Sequence, residues 1–199
     1  VPAAKQPARS RLLKAADELF YERGIVGTGV DAVIARAGVA TGSLYKNFSG
    51  KDDLVVAYLA DRDQRWREIW ESAIAAAPDP VERVLAIFTA ARRWHRLTGL
   101  QRGCAHVAAA AQLPADHPGM AVATAHKRHV IERLTTLVAA TATEDPQQTA
   151  LDIALLHDGM LSAMAIATDS DPVTRARRLA RGLLVPDRRE RRLPRPRSE

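Results

Sequence analysis

Residues 37–54 read AGVATGSLYKNFSGKDDL. The stretch interrupts a helical pattern with Gly38, Gly42 and Gly50. Upstream, Leu12, Leu13, Ala16, Leu19 and Phe20 recur at helical spacing from Ser10 to Arg23, and Gly24 follows as a C-terminal glycine does. Val30, Val33, Ile34 and Ala37 share one face of a second helix that stops at Gly38. Thr41 to Asn47 then predicts a third, very short helix. An isolated helix of this length is marginal, so Leu44 and Phe48, one turn apart, must pin it to the first two. Three helices with a glycine turn between the second and third make a helix-turn-helix unit.

Such pinning leaves Thr41, Gly42, Ser43, Tyr45, Lys46 and Asn47 facing outward. Small residues at the helix start allow close backbone approach. The hydroxyls, amide and ammonium are groups that bond phosphates and base edges. Lys51 adds a cation beside them. The unit presents a narrow, polar, cationic ridge that fits a DNA major groove.

The rest of the chain is helical too. Alanine and leucine dominate, aromatics are 5%, and alternating β-branched runs are missing, so the fold class is all-α, with about nine helices. A long helix starts at Lys51, with Asp52 and Asp53 complementing its dipole, and reaches about Ala77. Further helices are read over Val81–Arg96, Gly103–Leu113 and His117–Ala142. Two more open at Asp145-Pro146 and Asp171-Pro172, pairs that supply an N-cap and a first-turn proline. The domain reading is 1–50 for the helix-turn-helix unit, 51–185 for a larger helical domain, and 186–199 for a disordered basic tail carrying six arginines. The net charge of +6 permits a polyanionic partner. One cysteine excludes an intrachain disulfide and suits a reducing compartment. Neither a signal peptide nor an uninterrupted apolar run of membrane-spanning length is read, and a cytoplasmic location with no membrane partner is expected.

Residues 9–54 closely resemble the N-terminal domain of TetR/AcrR-family transcriptional regulators. The matched features are AADELF-x-x-RG, the AGV turn, GSLY-x-x-F and the following K-D-x-L. The resemblance implies a homodimer on double-stranded operator DNA, each subunit placing one helix in a half-site, and a C-terminal domain that binds an inducer. Carried over, Thr41, Gly42, Ser43 and Lys46 fall where such proteins touch bases. Tyr45, Asn47 and Lys51 fall where they touch phosphates, and Thr28 joins that set with its hydroxyl shifted by one position. Ala40 stands where the family often has a capping serine, a loss of about 1 kcal/mol, and Gly29 where it often has Ser or Thr.

In the larger domain, sparse aromatics and methionines suggest an effector pocket for a small apolar or aromatic molecule, bounded by Trp66, Trp70, Phe88, Trp94, Cys104, His126 and Met160. Surplus apolar residues on the last two helices suggest a dimer seam through Leu155, Leu161, Leu179 and Leu183, with Arg175, Arg177, Arg178 and Arg181 as a solvated face. No His-Glu-x-x-His or Cys-x-x-Cys spacing occurs, and Cys104 and His106 should diverge on a helix, so neither metal nor cofactor is expected. No nucleophile–base spacing points to an enzyme. The reading is a one-component DNA-binding regulator, a repressor released by an inducer. The alternative is a helical small-molecule-binding protein without operator binding, which would bind ligand but select no DNA sequence.

Overall fold

The computed structural model describes residues 6–98 and 103–185. Among them are nine helices and no strand: α1 (Ala8–Arg23), α2 (Val30–Ala37), α3 (Thr41–Asn47), α4 (Lys51–Ala75), α5 (Pro80–Thr98), α6 (Ala105–Ala110), α7 (Pro118–Val138), α8 (Pro146–Ile166) and α9 (Pro172–Leu184). The basic tail at 186–199 lies outside the described residues.

Punctuation follows from side-chain chemistry. Gly38 ends α2 in the left-handed region (φ 60°, ψ 43°), and its N–H donates to the Ala35 carbonyl at 3.1 Å. A non-glycine residue there carries steric strain. The Arg11 guanidinium donates to the Gly38 carbonyl, tying the turn to α1. The side chains of His117, Asp145 and Asp171 cap α7, α8 and α9, each followed by proline. These bonds satisfy backbone N–H groups that a helix start otherwise leaves unpaired.

Two hydrophobic cores divide the molecule. The first joins Leu12, Leu19, Phe20, Val33, Leu44 and Phe48 with Leu54, Val55, Tyr58 and Leu59 of α4 and Ala105 and Ala109 of α6. The second contains Trp70, Phe88, Leu134, Ile153, Val173 and Leu184. The packing boundary therefore falls inside α4, beyond Leu59, and not at residue 50. The first two turns of α4 pack with α1, α2 and α3, and α6 reaches back to join them. Gln112 accepts the Ile25 N–H at 2.9 Å, and the Tyr21 hydroxyl donates to the Gly103 carbonyl at 3.0 Å.

By length and composition α8 could cross a membrane. Counting uninterrupted apolar runs missed this, because Asp152, His157 and Asp158 break the runs without lowering the average enough. Its apolar surface is divided between the second core and a groove against α9.

Candidate DNA-reading face and effector cavity

α3 is held from beneath. Leu44 is fully buried and Phe48 nearly so, with the Arg9 guanidinium 4.8 Å from the Phe48 ring centroid. Thr41, Gly42, Tyr45, Lys46 and Asn47 are consequently exposed, and Ser43 is half-buried. A Cβ on Gly42 would meet nothing within 4 Å, so this glycine leaves room for a partner and relieves no internal crowding. No side chain caps α3: Ala40 has none to offer, and the Ser43 N–H donates to the Ala40 carbonyl at 2.8 Å. The Asn47 amide donates to the Ser43 carbonyl at 2.7 Å, and Lys51 Nζ lies 3.4 Å from the Val26 carbonyl. Lys51 thus sits between the start of α4 and the α1–α2 loop, beside the ridge.

Thr28 is a correction. Its side chain is buried, and its hydroxyl donates to the Gly24 carbonyl at 2.7 Å, so it cannot reach a phosphate. It holds the loop closed.

Between α4, α5, α6, α7 and α8 lies a cavity of about 50 Å³. Of the seven residues assigned to a pocket, Trp66, Trp94, Cys104 and His126 line it. Trp70, Phe88 and Met160 are packed in the second core. Leu161, assigned to the dimer seam, lines the cavity instead. Arg62, His106 and His157 also line it, and sequence reasoning missed all three. For Arg62 a signal existed: it stands four residues after Tyr58 and four before Trp66, which surrounds a guanidinium with rings.

The polar groups here are interlocked. Arg62 is buried, pairs with Asp17 of α1, and lies over Tyr21, Tyr58 and Trp94 at 4.5–5.9 Å. Asp17 also accepts from Arg65 at 2.9 Å. His126 Nδ1 meets Asp63 at 2.7 Å, while its Nε2 faces the Cys104 sulfur at 4.0 Å. Burial pushes the Asp63 carboxyl up, but His126 and Arg67 outweigh it and hold it at about 2. Burial likewise pushes the Cys104 thiol up, and hydrogen bonds from His106 and His126 bring it well below its ordinary value. Burial lowers His126, and Asp63 and Cys104 overcome this and raise it. The arrangement favours charge on all three. Trp66 Nε1 and His157 Nε2 are buried without a hydrogen-bond partner among the described residues. The expectation that Cys104 and His106 diverge does not hold, because Cys104 precedes α6 and is not in helical phase with His106.

A third feature is a groove of about 560 Å³ between α8 and α9, lined by Leu155, Leu179 and Leu183, each exposed. Arg177 and Arg181 of α9 are not simply solvated: both pair with Glu82 of α5.

A glycine-turned helix pair carrying an exposed polar helix, mounted on a helical bundle with an internal cavity, defines a helix-turn-helix regulator. Residues 12–58 match the model of the bacterial regulatory proteins of the tetR family. A TetR-family transcriptional regulator from Streptomyces coelicolor has 31% identity and a TM-score of 0.83, over 89% of this chain and 94% of that one. The chain belongs to the TetR family of transcriptional regulators. Reduced Escherichia coli NemR shares the fold at 22% identity, with a TM-score of 0.75 over 89% of this chain and 97% of that one. Among curated relatives, the transcriptional regulator LmrA of Bacillus subtilis is 32% identical over 80 residues, 40% of this chain and 43% of LmrA. The repressor KstR2 of Mycolicibacterium smegmatis is 32% identical over 87 residues, 43% of this chain and 42% of KstR2. The match thus spans less than half the length of these curated relatives.

Proposed function

We propose that the protein represses transcription from the cytoplasm as a homodimer on a palindromic operator, and that a small effector in the α4–α8 cavity releases it. The exposed ridge of Thr41, Gly42, Tyr45, Lys46 and Asn47 over buried Leu44 and Phe48 carries this reading. Thr41, Gly42, Ser43 and Lys46 read bases, while Tyr45, Asn47 and Lys51 hold phosphates. Asn47 must exchange its bond to Ser43 for one to DNA.

A cavity of about 50 Å³ is far below the roughly 300–1,000 Å³ of drug-sized ligand sites. This supports a smaller effector than the apolar or aromatic molecule expected from sequence. Arg62 supplies the coupling, since it lines the cavity and holds Asp17 of α1. An effector that disturbs Arg62 favours a different head position, and it releases DNA only to the extent that it binds that shape better.

Selection from a random DNA pool tests the reading: one palindromic site should emerge, and an unselected pool would refute operator binding. On that site, Lys51→Ala should weaken binding to all sequences alike. It should flatten the dependence of log K on log salt by about 0.9 for each phosphate that is no longer neutralised. An unchanged slope would mean that Lys51 touches no phosphate.

A further inference from the structure

We propose that Cys104, His106 and His126 form a binding site for a thiophilic transition-metal ion, Zn²⁺ or Cu⁺. The inference rests on the regulatory reading and deepens it, the ion being the small effector. The three side chains offer one sulfur and two nitrogen ligand atoms, all within 4.8 Å of one another. Tetrahedral zinc with bonds near 2.3 Å to sulfur and 2.0–2.1 Å to nitrogen brings such atoms to roughly 3.3–3.6 Å. Closing the site therefore needs movements of about 1 Å, within the reach of side-chain rotation.

His126 already has the outer partner that a metal-binding histidine needs, and His106 has one that it gives up on binding. Asp63 meets His126 Nδ1 at 2.7 Å, which turns Nε2 toward Cys104, where the ion displaces its proton. The Leu59 carbonyl meets His106 Nε2 at 3.1 Å. A carbonyl accepts only, so Nε2 of His106 carries a hydrogen, and Nδ1 is the nitrogen left for the ion, which displaces any proton shared with Cys104. A carboxylate–histidine pair such as Asp63–His126 sets tautomer and ring direction at metal centres. One thiolate with two imidazoles is a donor set that selects zinc or copper over hard cations. Arg62, the cation lining the same cavity, is matched by Asp17. The cavity of about 50 Å³ has room for an ion and little else.

The two imidazoles stack 3.9 Å apart and 7° from parallel. A metal lies in the plane of each ring that binds it, so one ring must leave the stack. His126 is held by a carboxylate, His106 by a neutral carbonyl; charge-assisted bonds are the stronger, so His106 turns. Its movement releases the Leu59 carbonyl of α4, the helix that begins at Lys51 beside α3. Metal binding thus favours a shape of α4 other than the present one.

The test uses the full chain, stripped of metal, reduced and handled without oxygen. Titration with Co²⁺ should give one ion per protomer and a thiolate-to-cobalt charge-transfer band, bleached by Zn²⁺. Competition with a chromophoric Cu⁺ chelator decides between the two ions. Cys104 is the single cysteine, so Cys104→Ser should abolish the band. Asp63→Asn should weaken Co²⁺ binding by about 10–100-fold. Alkylation of wild-type Cys104 should slow under saturating Zn²⁺ or Cu⁺, a measurement independent of any variant's folding. A band that survives Cys104→Ser, or its absence together with unprotected alkylation, overturns the site. Operator affinity is measured separately. If Cys104 ligates the ion while DNA binding stays fixed, the ion is not the effector. If no ion binds yet a palindrome is selected, the regulator reading stands and the metal site falls.

Discussion

Arg62 joins what the sequence kept apart. Its guanidinium is buried among Tyr21, Tyr58 and Trp94 and pairs with Asp17. A buried ion pair is weak evidence of net stability, but removing one partner strands the other charge. Asp17→Ala should therefore destabilise the protein by about 3–5 kcal/mol, measured by urea unfolding. A loss below about 1 kcal/mol, the range of exposed pairs, would show that Arg62 finds water or another partner. The residue scale is also where sequence reasoning was least complete. Leu44 and Phe48 were legible because helical spacing and a short helix's need for support leave no other role. Trp70 and Phe88 were not, since an apolar ring lining a cavity and one filling a core have the same spacing. His106 and His126, twenty residues apart, meet through the turn between α6 and α7, which no local pattern encodes.

At the scale of elements, α9 is fastened to α5 by Glu82, which accepts from both Arg177 and Arg181; Arg177 also donates to the Leu85 carbonyl at 3.2 Å. Arg177 contributes most to holding the Glu82 carboxyl below its ordinary value of 4.5; burial opposes it and Arg181 adds to it. A depressed carboxyl stabilises the fold above its unfolded pKa and loses that contribution as pH falls through the folded one. Wild type should thus exceed Glu82→Gln by about 1 kcal/mol at neutral pH, discounted for the partly exposed arginines. The difference should begin to shrink as pH falls past 4.5 and vanish only below the lower folded value. Chemical denaturation of both proteins across pH checks this, and a difference independent of pH would assign the effect to packing. The helices themselves were largely legible: α2 and α3 have the residues read from sequence, and the Asp-Pro pairs open α8 and α9. The short α6 was read as Gly103–Leu113 but is helical only over Ala105–Ala110, because a run of alanines favours helix without marking its ends.

For the whole molecule, the decisive surface is the groove between α8 and α9. Leu155 is 71% exposed, Leu179 44% and Leu183 37%, and a contiguous apolar face of this kind marks an interaction site. Val173 and Leu184 of α9 turn inward instead and are buried in the second core, so α9 is apolar on two sides. Those two faces are why the sequence points to a seam, while periodicity alone could not place Leu161, which lines the cavity. In the proposed dimer, two copies packed through α8 and α9 would form a four-helix bundle and hold their α3 helices about one turn of DNA apart, ~34–36 Å. Joining two heads makes the second contact intramolecular, an advantage of about 10²–10⁴ over a single head. Leu155→Glu or Leu179→Glu places a carboxylate in that seam without touching either core. Each variant should keep wild-type helicity, run as a monomer in light scattering at micromolar concentration, and lose operator affinity by that factor. A variant that stays dimeric would place the seam elsewhere; one that is monomeric yet binds a full operator normally would show that a single head suffices.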